Sequence, residues 1–188
     1  MPSQSLDQDS LLTTAISEGA AALQRAIETF PTESFYVFCF YTDNDVTSIY
    51  PTANTVEALQ RIDGYEDDEN YYRWSPAEWQ LDFGQYGKPD LMAQTNKLLY
   101  PDYESESEEP DECFDLRKQK TLNTLTTALL SIRESGLFSC AAAHEQLAFW
   151  VNISDPYGAE IEWMLEPAFK HLRLTDSKEI GALFEYAE

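Results

Sequence analysis

The stretch Phe35-Tyr36-Val37-Phe38-Cys39-Phe40-Tyr41, with Thr42-Asp43-Asn44-Asp45 and then Val46 to Tyr50 behind it, decides how the chain is read. The first seven residues are all apolar or aromatic, the pattern of a strand buried on both faces. Thr42-Asp43-Asn44-Asp45 supplies the short polar side chains of a turn, and Val46 to Tyr50 reads as a second strand, so the two form a hairpin. Outward from it, the periodicity becomes helical. Leu12, Ile16, Leu23 and Ile27 recur at helical spacing between Asp7 and Phe30, and Pro31 ends the run. On the other side, Asn54 with Glu57 has the form of a capping box ahead of Ala58, Leu59 and Ile62, and Gly64 marks the end of that helix.

Further along, a helix is predicted over Asp90 to Leu99. A longer one over Asp115 to Ser135 carries Leu122, Leu125, Leu129 and Ile132 on one stripe, with Gly136 past its end. Leu147, Phe149, Val151 and Ile153 alternate with Ala148, Trp150 and Asn152, which predicts a strand with one face covered, and Phe138 to Ala142 could pair with it. Asp155-Pro156 opens a helix bearing Ile161, Met164 and Leu165, interrupted at Pro167. Asp176 with Glu179 caps a last one carrying Ile180, Leu183 and Phe184. No repeat and no linker divides the 188 residues. The order predicts an α+β fold: a single domain over 1–188 with an antiparallel or mixed β-sheet covered by several α-helices.

Hydrophobic residues make up 43% and aromatics 13%, enough for a core and more than a disordered chain carries. Thirty-four Asp and Glu against twelve Lys and Arg give a formal charge of −22. That argues against nucleic acid as a partner, because phosphate contacts need a basic face, and against anionic membranes. The same field speeds encounter with a basic protein, an effect that salt weakens. Two runs concentrate the acid: Asp63 to Glu69, and Pro101 to Asp115, which reads as a mobile loop. Three cysteines (Cys39, Cys113, Cys140) without CxxC spacing fit a reducing compartment. With neither a signal-peptide pattern nor a membrane-length apolar run, a cytoplasmic location is expected.

No catalytic motif emerges. His144 and His171 stand in no HExxH and beside no cysteine at zinc spacing. Asp43-Asn44-Asp45 begins like a calcium loop but has Ser48 and Asn54 where Gly and Glu are needed. GxSxG, P-loop and GxGxxG are all missing. Cys39 reads as core packing, and Cys140 with His144 four residues on is a weak pairing. No catalytic residue, metal ligand or cofactor is assigned.

Tyr71-Tyr72-Arg73-Trp74-Ser75-Pro76-Ala77-Glu78-Trp79 is the most distinctive block. It predicts an extended aromatic segment turning into a short helix, with Ser75 as N-cap, Pro76 at the first helical position and Glu78 closing a capping box. Trp74 and Trp79 read first as staples of that corner, and second, with Tyr71, Tyr72 and Arg73, as an exposed anchor patch. Together with Phe38 to Asp43 and Tyr50 to Leu59, the Tyr72 to Trp79 block resembles a bacterial family, domain of unknown function 4303. The resemblance spans most of the chain and brings no catalytic residues. It implies a small cytoplasmic bacterial protein of a kind often encoded beside toxins and serving as an immunity protein.

The expected function is therefore an immunity, antitoxin-like protein that neutralises a basic toxin or effector domain through an acidic surface. Glu66, Asp67, Asp68 and Glu69 are the expected contacts, followed by Glu104, Glu106, Glu108 and Glu109. Tyr72, Arg73, Trp74, Ser75, Pro76, Glu78 and Trp79 form the structural signature behind them. The alternatives are an enzyme or small-molecule binder with a pocket near Tyr72 to Trp79, and a housekeeping protein whose acidity gives solubility alone.

Overall fold

The computed structural model describes residues 6–79, 91–100, 111–137 and 143–172. Helix α1 (Gln8–Thr29) leads into β1 (Phe35–Thr42), which turns back into β2 (Ile49–Thr55). Short helices α2 (Val56–Leu59), α3 (Glu69–Trp74) and α4 (Ala93–Leu99) follow, with single 3-10 turns at Tyr65–Asp67 and Pro76–Glu78. Then come α5 (Asp111–Glu134), β3 (Ala143–Ile153) and α6 (Ala159–Leu172). The strands form a mixed sheet in the order β2-β1-β3, β1 being antiparallel to β2 and parallel to β3. The fold is α+β, a single domain. Among the described residues no helix is long and apolar enough to cross a membrane.

β1 is the central strand, and residues 35–40 are all buried. Phe38, Phe40 and Phe149 share one face: the Phe38 ring lies 6.0 Å from Phe40 and 6.1 Å from Phe149. Helices α1 and α5 cover that face. α1 presents Leu11, Ala15, Gly19, Ala22, Leu23 and Ala26, a stripe of mostly small residues that lets it approach closely. Gly19 marks the tightest point, where a Cβ would stand 2.6 Å from the Phe40 ring and 2.7 Å from Ile132 Cδ1. The α5 stripe Leu122, Leu125, Leu129 and Ile132 is buried as its periodicity predicts, each side chain contributing about 1.5–3 kcal/mol.

The opposite face is covered too, which corrects the one-sided reading of β3. Ala148, Trp150 and Asn152 are as buried as Phe149, Val151 and Ile153, because Trp150 packs against Trp74 of α3 at 5.6 Å. The hairpin also differs from expectation. Val46 belongs to the turn, at φ +55°, and β2 begins at Ile49 and runs to Thr55. A β-branched residue in the left-handed region is strained. The turn imposes it, with the Asp43 carboxylate accepting from Thr47 N–H and Oγ1 at 2.8 Å each and from Ser48 Oγ at 2.5 Å.

The capping expected of Asn54 and Glu57 falls to other residues. Thr55 caps α2, its Oγ1 accepting from Ala58 N–H at 3.0 Å. Asn54 sits in β2 and donates to Tyr36 Oη, while Glu57 reaches back to Ser34 N–H and Oγ at 2.7 and 2.9 Å. α2 ends at Leu59, and Gly64, at φ +78°, instead precedes the Tyr65 turn. α5 starts at Asp111, so residues 111–115 of the expected acidic loop are helical, as suits acids near a positive helix N-terminus. α6 continues across Pro167 to Leu172, since losing one intrahelical bond need not end a helix held by those on either side. The strand expected at 138–142, the breaks at Gly84 and Gly87 and the helix from Asp176 lie outside the described residues.

Three polar side chains lock these elements together. Glu18 of α1 supplies the cap α4 lacks, accepting from Gln94 N–H (3.0 Å), Thr95 N–H (2.9 Å) and Thr95 Oγ1 (2.7 Å). Asn96 of α4 accepts from Ile49 N–H at 2.7 Å and donates to Ile49 C=O at 3.2 Å. Lys118 of α5, 1% exposed, donates to Asn44 Oδ1 at 2.7 Å and to the Glu160 carboxylate, tying the hairpin turn to α5 and α6.

Candidate functional site

The acidic residues 63–69 and the aromatic block that follows make one feature: a ledge of carboxylates carried on a packed corner. Gly64 in the left-handed region turns the chain into the Tyr65–Asp67 helical turn, and Asp68 then starts α3 by accepting from Tyr71 N–H at 3.2 Å. Tyr71 to Trp74 is therefore helical, where the sequence reading had it extended. Pro76 does occupy the first position of the next turn, but Ser75 makes no side-chain cap. Glu78 closes no capping box either; it accepts from Tyr71 Oη at 3.0 Å. The Glu78 N–H goes instead to Ser75 C=O at 3.0 Å, the backbone bond of a 3-10 turn.

The corner is seated on Tyr36 of β1. Trp74 and Trp79 both meet that ring edge-on, at 6.1 and 6.5 Å, and are 6% and 5% exposed. They are core residues, not a surface patch. Tyr36 Oη donates to Arg73 C=O at 2.8 Å, and Trp79 Nε1 donates to Tyr72 C=O at 3.0 Å. Burial pushes the Tyr36 hydroxyl far above its ordinary range, so it stays protonated as a donor. Arg73 lies over the same ring, 5.2 Å from its centroid, and pairs with Glu69 at 2.5 Å.

Glu66, Asp67, Asp68 and Glu69 are all exposed. Asp68 is engaged as the α3 cap and Glu69 by Arg73, whereas the carboxylates of Glu66 and Asp67 have no hydrogen-bond or ion-pair partner among the described residues. Tyr71, at the start of α3, is 40% exposed and held by Glu78 and by edge contact with Tyr72 at 5.3 Å. The bond to the Glu78 carboxylate raises its hydroxyl pKa first, and partial burial adds to that. The ledge is thus a set of exposed carboxylates on a packed corner that also carries the Tyr71 phenol, held by Glu78. Glu104, Glu106, Glu108 and Glu109 lie outside the described residues, as does Cys140.

Sequence reasoning did not foresee the part played by Tyr36 and Trp150. Tyr36 stood in an uninterrupted apolar run, where nothing separates a seat from filler. For Trp150 a signal existed: a large aromatic between Ala148 and Asn152 suits a second covered face better than solvent. Among the described residues no three His, Cys, Asp or Glu side chains are grouped to hold a metal ion. Nothing among curated proteins or solved structures matches the chain. One family model does, over residues 12–166, and it takes in the hairpin, the aromatic corner and β3: the chain belongs to the family described as domain of unknown function DUF4303.

Proposed function

We propose that the protein is a binding protein of the immunity type, capturing a basic toxin or effector domain on the acidic ledge and masking it. The observation that carries this reading is the pair Glu66 and Asp67, whose exposed carboxylates have no partner among the described residues, beside Asp68 and Glu69 on a corner fixed to the sheet. A mobile acidic loop would lose conformational freedom on binding, and this ledge loses little. The net charge of −22 steers a basic partner toward the protein. Tyr71 offers an aromatic anchor within the carboxylates, suited to a Lys or Arg of the partner.

Co-expression with the product of the adjacent gene tests the reading: toxicity is neutralised and a complex co-elutes. Glu66→Lys with Asp67→Lys leaves the fold intact and slows association at least tenfold at low salt, the difference shrinking as salt rises. An association rate that the reversal leaves unchanged at low salt would remove the ledge from the interface.

A further inference from the structure

The sheet face that carries the aromatic corner is covered at one end of β1 and open at the other. Near the start of the strand Trp74 and Trp79 pack on Tyr36, and Trp74 also packs on Trp150. Cys39 stands opposite Trp150 in the register and is fully buried, and Tyr41, two residues on, comes to the same face. There the register places Tyr50 of β2 on one side of Tyr41 and Asn152 of β3 on the other. Tyr41 is half-buried and Tyr50 is 56% exposed. The two phenols are directly opposed cross-strand neighbours, with Cβ atoms about 5 Å apart. Exposed tyrosines scattered singly need no explanation, but a pair at the open end of a core face does.

The charge beside this pair has one sign. β3 is joined to the end of β1 by Ser154 N–H, which donates to Thr42 C=O at 2.8 Å, and runs at once into Asp155, exposed and at φ +47°. The Asp155 carboxylate has no hydrogen-bond or ion-pair partner among the described residues. It stands near the Tyr41 hydroxyl: burial raises that pKa first, and the Asp155 charge raises it further. Two ring faces beside a free carboxylate suit one cation in particular. A lysine ammonium is compact and strongly hydrated, whereas a guanidinium is planar, sheds water more readily, stacks on aromatic rings and offers a fork of N–H donors to a carboxylate. An apolar occupant would desolvate Asp155 without pairing it, and an anion would be repelled.

We propose that the open end of this sheet face, formed by Tyr41, Tyr50 and Asp155, receives an arginine side chain of the basic partner. The guanidinium lies against the phenol rings and donates to the Asp155 carboxylate. This rests on the proposed capture of a basic domain and adds a second contact to it, at the opposite end of β1 from the corner that bears the ledge. The ledge suits either lysine or arginine, and this site selects arginine.

The test is an NMR titration of the intact protein, its tyrosine rings labelled with 13C and assigned, using acetyl-tetra-arginine amide and the charge-matched acetyl-tetralysine amide. The expected result is a saturable shift of the Tyr41 and Tyr50 ring signals, with the arginine peptide bound at least ~5-fold more tightly than the lysine peptide. Asp155→Asn, which keeps a residue tolerant of left-handed backbone, should weaken arginine binding at these rings by at least ~3-fold. Tyr50→Ala should abolish the saturable response at Tyr41. Equal affinity for the two peptides, no response at Tyr41 and Tyr50, or undiminished binding by either variant would each overturn the proposal. Should a variant not fold, the contrast between the peptides in the wild type still decides. The ledge is read in the same titration at Tyr71. A response there without one at Tyr41 and Tyr50 removes this site and leaves the ledge, whereas an arginine-selective response at Tyr41 and Tyr50 supports the site whether or not Tyr71 responds.

Discussion

Replacing Gly19 by alanine sets two physical effects against each other, and the structure says which one wins. Alanine is the better helix former by about 1 kcal/mol, so helix propensity alone predicts a more stable protein. The new methyl, however, would sit 2.6 Å from the Phe40 ring and 2.7 Å from Ile132 Cδ1, roughly 1 Å inside normal carbon–carbon contact. Neither neighbour can step aside, because both are fully buried and Phe40 packs edge-on against Phe38. Overpacking of this kind costs ~1–3 kcal/mol. Taking the upper end for so rigid a site, the net loss is about 2 kcal/mol after the propensity gain. For a chain of this size that lowers Tm by roughly 4–8 °C. Urea denaturation gives the measurement, with a lower midpoint and an unchanged slope. Ile132→Val removes the Cδ1 atom and should recover part of the loss, a coupling of at least ~0.5 kcal/mol in a double-mutant cycle. A Gly19→Ala protein as stable as the parent, or more so, would refute the account of how α1 meets the sheet.

Three further outcomes follow from the same geometry. Lys118→Met strands the Glu160 carboxylate and the Asn44 amide, and should destabilise the fold by ~3 kcal/mol, whereas Lys118→Met with Glu160→Leu should recover most of that in the same urea assay. Asp43 is raised by partial burial but lowered more by its bonds from Ser48 and Thr47, leaving its pKa below the ordinary 3.8. Its share of stability is present above 3.8 and is lost as pH falls through the lower folded value. Asp43→Asn should flatten that part of the stability–pH curve. Burial drives the Cys39 thiol far up, so peptide mapping after brief alkylation of the native protein should find exposed Cys113 modified and Cys39 protected.

How much of this was legible in the sequence depends on whether the determining contacts are local. The central strand was, because seven unbroken apolar or aromatic residues leave no face for water. So was the stripe of α5, since helical periodicity is written within one element; in α1 the helix was legible, but the buried stripe runs through Leu11, Ala15, Gly19, Ala22, Leu23 and Ala26, leaving the larger Leu12, Ile16 and Ile27 partly buried at its side. The boundary at Val46 was not. A valine favours strands, and only the Asp43 carboxylate gathering Thr47 and Ser48 forces it into the turn. Asn54 and Glu57 fitted a capping box, but each found a partner from a distant part of the chain, Tyr36 and Ser34. The ledge was legible as a charge run. Its rigidity was not, because the packing that fixes it joins β1 and β3 to α3 across long sequence separations.

The clasp of Asn96 on Ile49 bears on solubility at high concentration. Among the described residues β2 lies at one margin of the sheet, and the two backbone groups that Asn96 engages point away from β1. Pro51, two residues on, faces the same way and has no N–H to offer. A second molecule approaching this margin therefore finds one rung already occupied by a side-chain amide and the next without a donor. Strand addition is thereby hindered at the Ile49 end of β2 without placing a charge on the strand.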